Sequence, residues 1–341
     1  MFDRLAVIGA GSMGTILGAL LTKSGFDVTL VDINNEHINA LQKDGAVITG
    51  TINEKVPVKA CTPDKMAGRY DLFFLFTKQT ANEAAFSQIE RHMHDNSLIC
   101  TLQNGIPEFA LAERFGVDRT MGCAVTWAAT LLRPGVTQAN TKLEFWHSNM
   151  GRIDRKCTPE LEAVREILSA ICRTEITGNL IGMRWSKLLV NSSFSGMSAV
   201  LDCTFGEILD NPISLCCAQY IARECIHVAR KAGYRMEPLA EGEDFERQLD
   251  FSSDGERGAT IPIYHKLFGA SSNALSSMLQ DLRNGRKTEI DAINGLVSKF
   301  GRCLSVPTPF CDLTVKIIKD IEKGHRKAGP ENLSLFSELL E

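Results

Sequence analysis

The stretch "LAVIGAGSMGTILGALLTKSG" restricts the possible folds of this chain more than any other. An apolar strand pattern runs into Gly9, Gly11 and Gly14 at G-x-G-x-x-G spacing, and a helical pattern follows as far as Gly25. The next strand pattern, "DVTLVD", ends in Asp32, eighteen residues beyond Gly14. Glycine spacing alone is a weak signal. Flanked by strand and helix and followed by an acid at the second strand's end, it predicts a dinucleotide-binding turn. Gly9 allows the tight turn, Gly11 lets a pyrophosphate approach the backbone, and Gly14 lets the helix pack closely on the strand. The helix start, with Ser12, Met13 and Gly14, offers unpaired amides and a positive dipole end to the phosphates. Asp32 can accept both ribose hydroxyls and would repel a 2′-phosphate, and "VDINNEH" holds no arginine to offset it. The chemistry favours NAD(H) over NADP(H), although loops such as "TPDK" carry charge of their own.

Further strand patterns, "YDLFFLFTK", "SLICTLQNG" and "RTMGCAVTWA", alternate with helical ones such as "HINALQKDG" and "QTANEAAFSQIERHM". That alternation predicts an α/β, Rossmann-type, doubly wound and mostly parallel sheet. "GVTQANTKLEFWHSNMG" alternates like an antiparallel or edge pair. Beyond "TPELEAVREILSAIC" helical patterns dominate, including "LIGMRWSKLLVNSSFSGMSAVL", "PISLCCAQYIARECIHVARKAG", "SSMLQDLRNG" and "TEIDAINGLVSKFG". The expected organisation is a dinucleotide-binding domain over 1–178 and an all-helical domain over 179–341. The polar segment "EPLAEGEDFERQLDFSSDGERGATIP" reads as a solvated connection with a surface helix.

A length of 341 residues suits two domains. A net charge of -4 without a basic block argues against nucleic acid or anionic membrane as partner. No apolar stretch is long enough for a membrane span, and the N-terminus lacks a signal-peptide layout. Eleven scattered cysteines without a C-x-x-C pair fit a reducing interior, so the expected compartment is the cytoplasm. The seven histidines show no zinc-like spacing, and no metal site is expected. The apolar helix "LCCAQYIARECIHVARKAG" suits core packing, and a homodimer face is its other use.

Two strand ends point to the cofactor edge, because ligands of open α/β sheets bind beyond the carboxyl ends of strands. "FLFTKQ" places Lys78 there and "CTLQNGIP" places Asn104 there. In "RWSKLLVNSSFSG", Lys187 and Asn191 fall four apart on one helical face, with Ser195 a turn further on. An ammonium within an apolar helix is either on a solvated face or paired in a working site. Near the C-terminal side, Ser277 stands before an Asn284-Gly285 break and Glu289 begins the next helix.

Taken in order, "GAGSMG", "TK", "LQNG", "WSKLLVN" and "SSMLQDLRNGRKTEIDAING" resemble the ketopantoate reductase (2-dehydropantoate 2-reductase) family over nearly the whole chain. The resemblance implies reduction of 2-dehydropantoate to pantoate, usually with NADPH. It makes Lys187 the general acid, Glu289 its partner, Asn191 and Ser277 substrate contacts, and sets Asn104 between nicotinamide and substrate. Chemistry agrees, since hydride addition to a 2-oxo acid leaves charge on the carbonyl oxygen that an ammonium stabilises and protonates. The chain departs from the family pattern at three places. Ser195 and Gly196 stand where asparagine and proline are common, Trp127 stands in "TWAA" where "THAA" is common, and Asp32 replaces a basic or neutral residue. A serine at 195, as a substrate contact, leaves room for a different or larger branched 2-oxo acid. The rival expectations are a 3-hydroxyacid dehydrogenase similar to the 6-phosphogluconate dehydrogenase group, and a non-catalytic nicotinamide-binding regulator.

Overall fold

The computed structural model describes residues 2–239 and 244–340. The chain forms two compact units, Met1–Leu180 and Ile181–Glu341. Among the described residues no helix is long and apolar enough to cross a membrane.

The first unit is built on strands β1 (Leu5–Ile8), β2 (Val28–Val31), β3 (Ala46–Gly50), β4 (Glu54–Val56), β5 (Lys59–Cys61), β6 (Leu72–Leu75), β7 (Leu98–Thr101), β8 (Thr120–Val125), β9 (Ala129–Arg133), β10 (Val136–Ala139), β11 (His147–Gly151) and β12 (Arg173–Ile176). Its helices are α1 (Ser12–Lys23), α2 (Asn35–Asp44), α3 (Asn82–Arg91), α4 (Glu108–Phe115) and α5 (Pro159–Ser169). Eight strands form one sheet in the order β12-β11-β8-β7-β6-β1-β2-β5. Every pair from β5 to β8 is parallel, whereas β11 runs antiparallel to β8. Strands covered on both faces need apolar residues at every position, which is why "LAVI", "LFFL" and "LICT" are buried throughout. Leu5 and Val7 join the core on one face and Ala6 and Ile8 the core on the other. Burying a side chain such as Phe73 or Phe74 contributes about 1.5–3 kcal/mol.

A second sheet, β4-β3-β10-β9, packs on α1, and sequence patterning does not anticipate it. Its strands are short and carry exposed charges, and β3 pairs with β10 across nearly ninety residues. The stretch expected as an antiparallel or edge pair is therefore divided, with β10 in the small sheet and β11 in the large one. Helix α1 lies between two sheets, which accounts for burial from Gly14 to Ala19.

The second unit is helical: α6 (Leu180–Val190), a π-helical turn (Asn191–Ser195), α7 (Gly196–Leu201), α8 (Phe205–Asp210), α9 (Pro212–Lys231), α10 (Phe245–Gln248), α11 (Asp254–Phe268), α12 (Ser277–Arg283), α13 (Asn294–Leu304), α14 (Pro309–Glu322) and α15 (Ser337–Leu340). Helix α9 starts where the Asn211 side chain accepts the N–H groups of Ile213 and Ser214, at 3.0 and 3.1 Å. Leu215, Cys217, Ile221, Cys225, Ile226 and Val228 of α9 are buried, so the apolar helix is core. Part of the expected polar connection, 240–243, lies outside the described residues. The rest is less solvated than its composition implies, because Phe245, Leu249 and Phe251 are buried.

Candidate active site

In the first unit the strand order turns at β1, which has β2 on one side and β6 on the other. Gly9 stands at this point with φ +95, and a Cβ there would lie 2.6 Å from the Thr77 backbone nitrogen just beyond β6. Only glycine fits. A Cβ at Gly14 would collide with the Gly9 carbonyl oxygen, so α1 sits tightly against the turn. A Cβ at Gly11 would meet nothing within 4 Å, which leaves an open approach to the backbone. No side chain caps α1, and the first helical bond is Thr15 N–H to Gly11 O. The amides of Ser12, Met13 and Gly14 therefore head a helix with no side-chain cap, and this donor set fits a pyrophosphate.

Asp32 follows β2, half-buried, and its Oδ1 accepts the Asn34 N–H at 2.9 Å. The Asp32 N–H reaches the Cys61 carbonyl at 3.3 Å, so the "TPDK" turn, with Asp64 and Lys65, begins beside it. Lys78 and Asn104 lie on neighbouring loops after β6 and β7. Two glutamines join those loops: Gln79 Nε2 donates to Asn104 O at 2.5 Å, and Gln103 Nε2 donates to Thr77 O at 2.7 Å. Sequence reading missed a second support of the turn. Gly135 N–H donates to His37 Nδ1 at 3.0 Å, which leaves the proton on Nε2, 3.1 Å from Thr15 Oγ1. Thr15 Oγ1 in turn donates to Ala10 O at 2.8 Å. Burial holds the His37 pKa below its ordinary 6.5, against the nearby Asp32 charge. Trp127 is buried in the core and stacks on Trp146 at 4.5 Å between ring centroids, so its departure from the family pattern is met by packing.

In the second unit, Lys187, Val190 and Asn191 are the partly exposed positions of a segment otherwise buried from Ile181 to Leu201. They fall at i, i+3 and i+4 and mark one edge of the helix. The opposite side is anchored by Trp185, against Phe300 and Tyr234, and by Phe194, stacked 3.9 Å from Phe268. The expected uninterrupted helix is broken at Asn191–Ser195 by the π-helical turn, a feature frequent at functional sites. Ser195 within it is 8% exposed.

Ser277 is exposed as the first residue of α12, and the preceding Ser276 caps that helix by accepting the Leu279 N–H at 3.0 Å. The Ser276 hydroxyl also donates to Ser195 O at 3.3 Å, which joins the start of α12 to the π turn. Glu289 does not begin an α-helix as expected. It is half-buried and heads a single 3₁₀ turn, Ile290–Ala292, with α13 starting at Asn294. The "TEID" pattern has structural partners: Thr288 Oγ1 donates to Glu322 Oε1 at 2.7 Å, and Asp291 pairs with Lys319 at 2.6 Å. Both fasten the Glu289 turn to α14. Ser276 thus joins the segment bearing Ser277 to the one bearing Lys187, Asn191 and Ser195, and the Glu289 turn is held on α14 of the same unit.

Residues 5–152 match the family described as ketopantoate reductase PanE/ApbA, and residues 179–322 match ketopantoate reductase PanE/ApbA C terminal. The chain belongs to the ketopantoate reductase family. It is an NAD(P)-dependent reductase. A 2-dehydropantoate 2-reductase of Pyrococcus horikoshii is 29% identical over 321 residues, covering 93% of this chain and 96% of that protein. Among solved structures, the PanE/ApbA family ketopantoate reductase of Ralstonia eutropha JMP134 superposes with TM-score 0.80 at 22% identity, covering 94% of this chain and 99% of that one. D-mandelate dehydrogenase with NADH and anilino(oxo)acetate shares the fold with TM-score 0.78 at 21% identity, covering 94% and 98%.

Proposed function

We propose that this ketopantoate reductase reduces 2-dehydropantoate, or a bulkier branched 2-oxo acid, to the 2-hydroxy acid. The observation that carries the reading is the partly exposed edge of Lys187 and Asn191 on a buried helix, tied through Ser276 to the start of α12. A bound dihydronicotinamide supplies the hydride. Lys187 holds its ammonium toward the carbonyl oxygen and delivers the proton as charge develops there, and Glu289 orients that ammonium. General acid catalysis of this kind contributes roughly 10²- to 10⁴-fold. Asn191, Ser195 and Ser277 offer neutral hydrogen-bonding groups to the carboxylate and hydroxyl, which fixes the carbonyl carbon.

For the cofactor, the amides of Ser12, Met13 and Gly14 bind the pyrophosphate, Lys78 and Asn104 contact the dinucleotide, and Asp32 accepts the ribose hydroxyls. Asp32 makes NADH the preferred reductant, and NADPH is the second reading, supported by family usage and by Lys65 in the adjoining turn. The same fold in D-mandelate dehydrogenase holds NADH.

The test is a steady-state panel of 2-oxo acids and 3-hydroxyacids with both cofactors, run on the parent protein and Lys187→Ala. Turnover of branched 2-oxo acids, reduced at least about 100-fold in Lys187→Ala with cofactor affinity kept, is expected. Activity on 3-hydroxyacids alone, or NADH binding without turnover of any acid, would replace this reading.

A further inference from the structure

The π turn is held open by side chains from elsewhere in the second unit. In a regular helix the Gly196 N–H would bond Ser192 O. Here it reaches Asn191 O, closing an i→i+5 ring, and Ser193 O. Ser192 O receives the Asn294 side chain instead, with Nδ2 at 2.9 Å and the residue fully buried. The Asn294 amide fits because residue 196 is glycine: a Cβ there would stand 3.0 Å from Asn294 Oδ1 and 3.2 Å from Thr314 Cγ2. Gly196 thus serves two purposes. It keeps an N–H that the proline common in the family lacks, and it makes room for Asn294.

The wider ring changes which residues share a face. Residues four apart in a regular helix drift by about 40° per step, so by Ser195 the stripe would have moved about 80° from Lys187. An i→i+5 turn between Asn191 and Ser195 reverses part of that drift and returns Ser195 toward the Lys187 line. Asn294 also opens α13, five residues after Glu289, whose carbonyl accepts the Ala292 and Ile293 N–H groups at 2.9 and 3.1 Å. One buried amide therefore couples the Glu289 turn to the Asn191–Ser195 turn.

We infer that Asn294 is a positioning residue for the reduction: by holding Ser192 O it keeps the π turn open and so aligns Asn191 and Ser195 with Lys187. This rests on the proposed reading of those three residues as substrate and proton-donor groups. The experiment uses the full-length variants Asn294→Leu, which removes the donor at similar size, and Gly196→Ala, which presses a methyl group against the Asn294 amide. Each should raise the KM for the preferred 2-oxo acid by about tenfold or more, with a smaller fall in kcat and unchanged NADH affinity by fluorescence titration. Hydrogen exchange should show lost protection confined to 191–197. Folded variants with parent KM and parent protection there would overturn the inference, as would equal losses of NADH affinity and substrate affinity. If the parent protein reduces no 2-oxo acid, the functional reading fails by itself. The exchange data then decide the role of Asn294, and unchanged protection over 191–197 would refute it.

Discussion

The Asp32 carboxylate uses Oδ1 on the Asn34 N–H, which fixes its orientation at the end of β2. A carboxylate so held should discriminate against a 2′-phosphate by charge. Asp32→Arg is expected to lower the NADH:NADPH ratio of kcat/KM by at least about tenfold, measured at matched ionic strength. A ratio that does not move would place the ribose elsewhere. At this scale much of the cofactor turn was legible, since Gly9 and Gly14 answer steric demands that glycine alone meets and Gly11 leaves the backbone open to approach. The His37–Thr15–Ala10 chain was not legible. A histidine twenty-two residues from its threonine gives no periodic signal, and only the packing of α2 on the turn brings the rings and hydroxyls together.

Elements set the site more finely than residue types do. The Lys187-Asn191-Ser195 spacing reads as one helical stripe, but the stripe passes through a π turn that no local pattern announces. Its acceptors are satisfied by Ser276 and Asn294, roughly 80 and 100 residues away in sequence. Glu289 shows the same effect, since helix propensity suggests a helix start where Thr288, fastened to Glu322, imposes a 3₁₀ turn. Ser195 lies on the π turn and carries a shorter side chain than the family's asparagine. Restoring the family residue with Ser195→Asn should favour the smaller acid. The kcat/KM for bulkier branched 2-oxo acids relative to 2-dehydropantoate is expected to fall about tenfold or more, read from paired progress curves. Equal ratios would show that residue 195 does not line the acid's side-chain pocket.

Across the whole molecule the two units differ in how protons load them. Burial lowers the pKa of His37 in the first unit, so below 6.5 the unfolded chain binds a proton that the folded unit resists. That contribution is complete above pH 6.5 and is lost as the pH falls. In the second unit, burial raises the pKa of Glu224 to about 7, although its carboxylate accepts the Phe310 and Cys311 N–H groups at the start of α14. Between 4.5 and about 7 the folded unit keeps a proton that the unfolded chain has released, so stability there falls as the pH rises. The contributions are opposite in sign, and that of Glu224 is on the order of 3 kcal/mol. Hydrogen exchange at about pH 5.5 and pH 7.5, corrected for intrinsic rates, should show His37→Gln flattening the response of the first unit and Glu224→Gln that of the second. Slopes unchanged by either variant would remove these groups as the cause. The sequence by itself determined the parallel sheet, the dinucleotide turn and the helical second half, because these rest on local periodicity and on glycines with steric duties. The tertiary structure alone decided the second sheet over α1, the π turn and the one-turn lead-in at Glu289. Each depends on hydrogen bonds between segments far apart in the chain, and nothing in the local sequence encodes those partners.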